Sequence, residues 1–251
     1  MDPLAQALSQ EVYQAFLVFV RVAAAVAFLP GFGEFAVPVR VRLCVAILVA
    51  LVLKPVVPDL PAMPAEPVEI LSAFTGEMIV GAFLGFGAKL FLAALQVAGT
   101  VAAQAIGLSN PFSVEGAGFE GGSVLSGTLV IAGLALIFAT DLHYVMIGAL
   151  ARSYGTWPVA QMPDGGMLAE RYAQLAASTF RLGAGLAAPF LIFGVLFNVA
   201  LGLVNRVVPA MPVYFVATPA MLGAGLLLFM VTAGVMLTGF AAALGGWLGG
   251  R

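Results

Sequence analysis

Gly107–Gly122 reads GLSNPFSVEGAGFEGG, and its character governs how the rest of the chain folds. It holds five glycines, a proline, two serines and an asparagine, with Glu115 and Glu120 as its only charges. Such a segment does not continue a helix, because each interior glycine costs about 1 kcal/mol relative to alanine. On either side the sequence is nearly unbroken apolar helix, Ile70–Gln104 before it and Leu125–Leu150 after it. Lipid offers no partner to free backbone N–H and C=O groups, so irregular backbone at membrane depth survives only when buried in protein or lining an aqueous cavity. The segment is therefore expected in or over a passage; an ordinary exposed loop between two helices fits the same composition.

The chain of 251 residues is 62% hydrophobic and 9% charged, with a mean hydropathy of +1.10. Soluble domains carry about 25% charged residues, so this composition points to an integral membrane protein. Its apolar runs are long and continuous rather than short and alternating, which selects helices over a barrel. A net charge of −2 argues against a nucleic-acid partner. The single cysteine, Cys44, lies inside an apolar run, which excludes a disulfide framework or a cysteine metal site. The N-terminus has neither the basic flank nor the small-residue cleavage site of a signal peptide, so the first apolar helix is expected to be retained.

Val12–Leu29 is apolar apart from Tyr13, Gln14 and Arg21, and Pro30-Gly31-Phe32-Gly33 ends it. An arginine in mid-helix costs about 2.5–3.5 kcal/mol to insert, so Arg21 is expected to face protein, a carboxylate or backbone carbonyls. A second run opens at Pro38-Val39-Arg40-Val41-Arg42 and continues to about Val57. Pro55, Pro58, Pro61, Pro64 and Pro67, with Asp59, Glu66 and Glu69, then mark a solvated, extended connection. The long third run carries Glu77 and Lys89, and its Gly81-x-x-x-Gly85 spacing allows close helix approach. Beyond the glycine-rich segment, Leu125–Leu150 is apolar until Asp141 and His143, and Ala151–Gln174 reads as a polar connection with turns at Pro158, Pro163 and Asp164-Gly165-Gly166. Phe180–Val204 and Tyr214–Leu244 are the last two runs, joined as a tight hairpin around Asn205-Arg206 and Pro209. The sequence thus predicts an all-α fold with about six long apolar helices.

Loop charges do not orient such a bundle. If each run crosses once, Arg40, Arg42, Lys89 and Arg206 face Lys54, Arg152, Arg171, Arg181 and Arg251 across the bilayer, and four against five gives no positive side. Some of these helices are therefore expected to pack mainly against other protein.

The ordered set Phe19-Val20-Arg21, Pro30, Val37–Arg42, Glu77 with Gly81 and Gly85, Gln104–Leu108, Asp141-Leu142-His143-Tyr144, Arg152-Ser153-Tyr154, Pro158 and Asn205–Val213 resembles the FliR family of flagellar export-gate proteins, whose virulence-secretion counterpart is SctT. The resemblance covers roughly Phe16 to Leu244, and its Asp-Leu-His-Tyr to Ser-Tyr run is more similar to the flagellar branch. It implies a structural subunit of the type III export gate in the basal body at the bacterial inner membrane. It also implies FliP-like and FliQ-like partners, with FlhB-like and FlhA-like proteins nearby and unfolded flagellar proteins in transit. A FliP-like region would occupy 1–179 and a FliQ-like C-terminal hairpin 180–251. Loop 107–122 would correspond to the family's plug, with Pro111, Phe112, Glu115, Gly116, Gly118, Phe119, Glu120, Gly121 and Gly122 as its candidate residues and the two phenylalanines as the sealing groups.

Arg21, Glu77, Asp141, His143 and Arg206 are the candidate subunit or intramembrane pairing residues. Glu77 has Arg21 or a partner's basic residue open to it. His143 and Asp141 suggest a proton relay, yet positions i and i+2 point to different helix faces, which favours a structural role. Arg206 suits a helix C-terminus, where a cation meets unpaired carbonyls, and equally a subunit contact. Gly107-x-Ser109 would need a histidine placed against the serine to act as a nucleophile, and His143 is the one histidine in the chain. No HExxH, CxxC or phosphate-binding loop is present, so neither an enzyme nor a cofactor is expected. A stand-alone ion-coupled transporter using Glu77, Asp141 and His143 is the alternative from another class; it should show internal repeats, and none is evident.

Overall fold

The apolar runs form helix almost throughout. The computed structural model describes residues 3–108, 124–207 and 213–250, and among them the elements are α1 (Pro3–Val26), α2 (Val39–Leu53), a 3-10 turn (Lys54–Val56), α3 (Pro67–Ala105), α4 (Val124–Ala139), α5 (Leu142–Thr156), α6 (Gly165–Val207) and α7 (Val213–Leu248). No strand occurs among the described residues.

The expected six long apolar helices are corrected in three respects. The run Leu125–Leu150 is two helices, α4 and α5, bent by 73°. Asp141 sits at the break in the left-handed region, with φ 59° and ψ 17°, a conformation that L-residues adopt singly and that cannot propagate a right-handed helix. The supposed polar connection 151–174 is mostly helix. Asp164 is not simply a turn residue: its Oδ1 accepts the N–H groups of Gly166 at 2.7 Å and Met167 at 3.1 Å, the side-chain pattern that starts a helix. Finally, among the described residues only α3, α6 and residues Ala217–Leu248 of α7 are long and apolar enough to cross a membrane, with a fourth span if the bent α4–α5 pair counts as one. α1 is too polar over Ser9, Gln10, Glu11 and Gln14, and the 15 residues of α2 reach about 22 Å against a hydrocarbon core of about 30 Å.

The chain divides into two compact units. In the first (residues 3–90, 140–176 and 245–250), α1 buries Tyr13, Leu17, Val18, Arg21, Val22, Ala25 and Val26, a single stripe at helical spacing. α1 and α3 run parallel, joined at one end by the edge-to-face pair Phe16–Phe74 (5.0 Å between centroids) and at the other by the stacked pair Phe28–Phe86 (3.8 Å). Between these pairs the backbones touch. A Cβ at Gly81 would collide with the Arg21 carbonyl oxygen and come within 2.9 Å of the Ala24 Cβ, and one at Gly85 would lie 2.6 Å from the Ala25 carbonyl oxygen. α1 stops where expected, with Gly31 at φ 85° and the Gly33 N–H donating to the Leu29 carbonyl at 2.7 Å. The proline-rich connection is extended but tied to α1: Gln10 donates to the Pro61 carbonyl at 3.0 Å and accepts from the Met63 N–H at 2.7 Å.

In the second unit (residues 91–139 and 177–244), the C-terminal part of α3 packs with α4, α6 and α7. Leu95, Ile106, Leu129, Ile137, Phe190, Phe240 and Leu244 are buried. Small residues again set the approach, since a Cβ at Gly99 would lie 2.6 Å from the Ser126 Cα. Pro189 and Pro219 lie inside α6 and α7, where each removes one helix hydrogen bond. Burial falls along the chain: 56% of the most apolar window of α3 is buried, against 22% in α6 and 11% in α7, so the last two helices present apolar surface that the described residues do not cover.

Candidate functional site

Arg21 and Glu77 are both wholly buried inside the first unit. Arg21 lies on the inward stripe of α1, and Glu77 lies one turn before Gly81 on α3, where the helices come closest. The guanidinium donates from Nε to Glu77 Oε2 at 2.6 Å and from Nη2 to Glu77 Oε1 at 3.1 Å. This two-pronged geometry makes the pair strong and directional. A carboxylate does not exhaust the five guanidinium donors. Nη1 donates to Ser153 Oγ at 3.1 Å and Nη2 to the Trp157 carbonyl at 3.0 Å. Ser153 in turn donates to the Leu150 carbonyl at 2.7 Å, and the Tyr154 ring lies beneath the guanidinium, 3.9 Å from Cζ.

Glu77 is served from a third direction. The Ala160 N–H donates to its Oε1 at 2.8 Å. Ala160 holds φ 60°, a left-handed conformation costing an L-residue roughly 1–2 kcal/mol, which the charge-assisted hydrogen bond of about 1.5–3 kcal/mol offsets. One ion pair therefore fastens α1, α3, α5 and the α5–α6 connection together. Nothing in this arrangement is a nucleophile beside a base, and no cluster of three or more His, Cys, Asp or Glu that could hold a metal occurs among the described residues.

The other candidates lie apart from this cluster. Asp141 is exposed at the α4–α5 break. His143 is half-buried, its ring 4.1 Å from that of Tyr144. Arg206 is exposed in the last turn of α6. All nine candidate plug residues, from Pro111 to Gly122, lie outside the described residues. Ser153, Tyr154 and Trp157 were not among the expected pairing residues. The available signal was donor arithmetic: a buried arginine needs more acceptors than one carboxylate supplies, and a helix end with a serine and its last backbone carbonyls offers them.

Among the described residues, three helices able to cross a membrane, apolar faces left uncovered, and an ion pair fully occupied with holding helices together define a helical membrane protein whose described polar core is structural. The chain matches the family described as bacterial export proteins, family 1, over residues 12–246, and it belongs to that family. It is 37% identical over 224 residues to the flagellar biosynthetic protein FliR of Caulobacter vibrioides, covering 88% of this chain and 89% of the relative. It is 27% identical to FliR of Escherichia coli, over 84% of this chain and 80% of the relative. The Yop proteins translocation protein T of Yersinia pestis is 27% identical over 68% of this chain and 66% of its own length. The resemblance carried by the ordered residue set is thereby borne out.

Proposed function

We propose that this chain is a structural subunit of the flagellar type III protein export gate, part of the conduit for unfolded flagellar proteins at the bacterial inner membrane. The observation that carries this reading is the family match along residues 12–246. The uncovered faces of α6 and α7 support it, because a subunit of a larger assembly presents apolar surface for its neighbours. Those neighbours are FliP-like and FliQ-like subunits, with FlhB-like and FlhA-like proteins beside them. On this reading 1–179 is the FliP-like region and 180–251 the FliQ-like hairpin. The Yersinia relative favours an injectisome gate as a second reading, which the higher identity and fuller coverage of the flagellar relative place behind the first. A stand-alone proton-coupled transporter draws little support, since both Glu77 oxygens are engaged by Arg21 and the Ala160 N–H.

Affinity purification of the tagged chain from native membranes in mild detergent, with mass spectrometry, tests the reading. FliP-like and FliQ-like subunits are expected to accompany it, and their flagellar or injectisome neighbours identify the branch. A solitary, stable protein rules the gate out.

Loop 107–122 is the candidate plug of this gate. Deleting 115–122 is expected to raise ion leakage through assembled complexes without preventing assembly. Single-complex conductance measures this, and unchanged conductance in an assembled mutant would sink the plug.

A further inference from the structure

The exposed stripe of α3 changes character along its length. Past its polar first turns, where Glu69 and Ser72 are exposed beside Val68 and Leu71, its first half exposes Met78 and Phe86. In its second half three of the four exposed positions are polar, Lys89, Gln96 and Gln104 beside Val97, with the half-buried Thr100 between the two glutamines. Spacings of seven, four and four residues put these polar groups on one helix face. The opposite face, through Leu95, Ala98 and Ala102, is buried. Hydrocarbon offers nothing to an exposed amide or ammonium, yet these groups sit on a helix otherwise apolar enough to span a membrane. The exposed positions of α7 are of the other kind, among them Leu226, Leu227, Met230, Val231 and Val235, with Thr218 and Thr238 as its exposed polar side chains among the described residues.

We infer that the Gln96–Thr100–Gln104 face of α3 borders water within the export passage, while the exposed face of α7 meets lipid or apolar protein. The inference rests on the gate reading above for its location, but the hydration of the face stands on its own. Neutral amides both donate to and accept from peptide groups. Such a wall can hydrogen-bond any extended polypeptide through its backbone, without regard to sequence, as an unfolded and variable cargo requires.

Cysteine accessibility in native membranes tests this. Cys44 is exposed and is first replaced by serine. Gln96→Cys, Gln104→Cys and Val231→Cys are then compared using a charged, water-soluble thiol reagent, with Thr100→Cys in reserve should a glutamine variant fail to accumulate. The thiolate that reacts forms only in contact with water, so the two glutamine positions are expected to label about tenfold faster than position 231, or more. Equal or slower labelling overturns the inference and marks the face as lipid-facing or as a closed subunit contact. Co-purification from the same membranes separates the two claims. Gate partners with unlabelled glutamine positions refute the watered face alone, whereas rapid labelling of a solitary protein refutes the gate and leaves the face.

Discussion

Arg21→Ala is expected to destabilise the first unit by about 3–5 kcal/mol, the cost of leaving one member of a buried ion pair without its partner. Glu77 would remain buried with the Ala160 N–H as its hydrogen-bond donor, and the Trp157 carbonyl would lose the guanidinium it accepts from. Glu77→Ala should be comparably severe, since it strands a guanidinium instead. Replacing both residues by apolar ones of similar volume, Arg21→Met with Glu77→Leu, should recover much of the loss, because the desolvation cost of both charges disappears together. Recovery should stop short of the wild type. The Ala160 N–H and Trp157 carbonyl would stay unpaired at about 1–3 kcal/mol each. Thermal aggregation midpoints of the protein purified in mild detergent, with its abundance in membranes, give the ordering. An Arg21→Ala protein as stable as the wild type would show that the pair does not fasten the helices.

The next largest effect should come from the smallest change. Gly81→Ala places a Cβ against the Arg21 carbonyl oxygen and 2.9 Å from the Ala24 Cβ. Backbone carbonyls cannot rotate aside as side-chain ends do, so α1 and α3 must separate just where Glu77 reaches Arg21. Overpacking costs about 1–3 kcal/mol when side chains can adjust; with backbone in the way and the ion pair stretched, about 3 kcal/mol or more is expected. Gly234→Ala in α7, with no atom within 4 Å of its added Cβ, serves as the comparison. It should be neutral or stabilising by up to about 1 kcal/mol through helix propensity. Equal midpoints for the two variants would remove the close approach of α1 and α3 from the account of stability.

Several of these features are legible in the chain itself. Pro30-Gly31 stops α1, and the proline series ends the α2 region and precedes α3, because those residues act locally on the backbone. Arg21 announces a buried partner through its cost in an apolar helix. Other features depend on groups that sequence does not set side by side. The break at Asp141 lies inside a run whose hydrophobicity is continuous on both sides, and a single left-handed residue leaves no trace in hydropathy. Asp164-Gly165-Gly166 carries turn residues, and the same aspartate also starts a helix; which role it takes depends on the 43 residues of α6 that follow. Ser153 and Trp157 join Arg21 across 132 and 136 positions, a distance that no periodicity in the chain records. The identity of the family, in contrast, was readable as an ordered set of individually weak marks.

The same separations have a temporal meaning. Glu77 follows Arg21 by 56 residues and Ser153 follows it by 132. At synthesis rates of about 5–20 residues per second, Arg21 waits roughly 3–11 s for its carboxylate and about 7–26 s for the hydroxyl. Throughout that interval the nascent chain carries a cation that its own apolar helix cannot shelter. A chain halted before α5 never completes the cluster around it. The cluster is therefore completed in two stages. A chain halted before α3 leaves the charge without its carboxylate, and one halted before α5 leaves it without the hydroxyl and carbonyl that take its remaining donors.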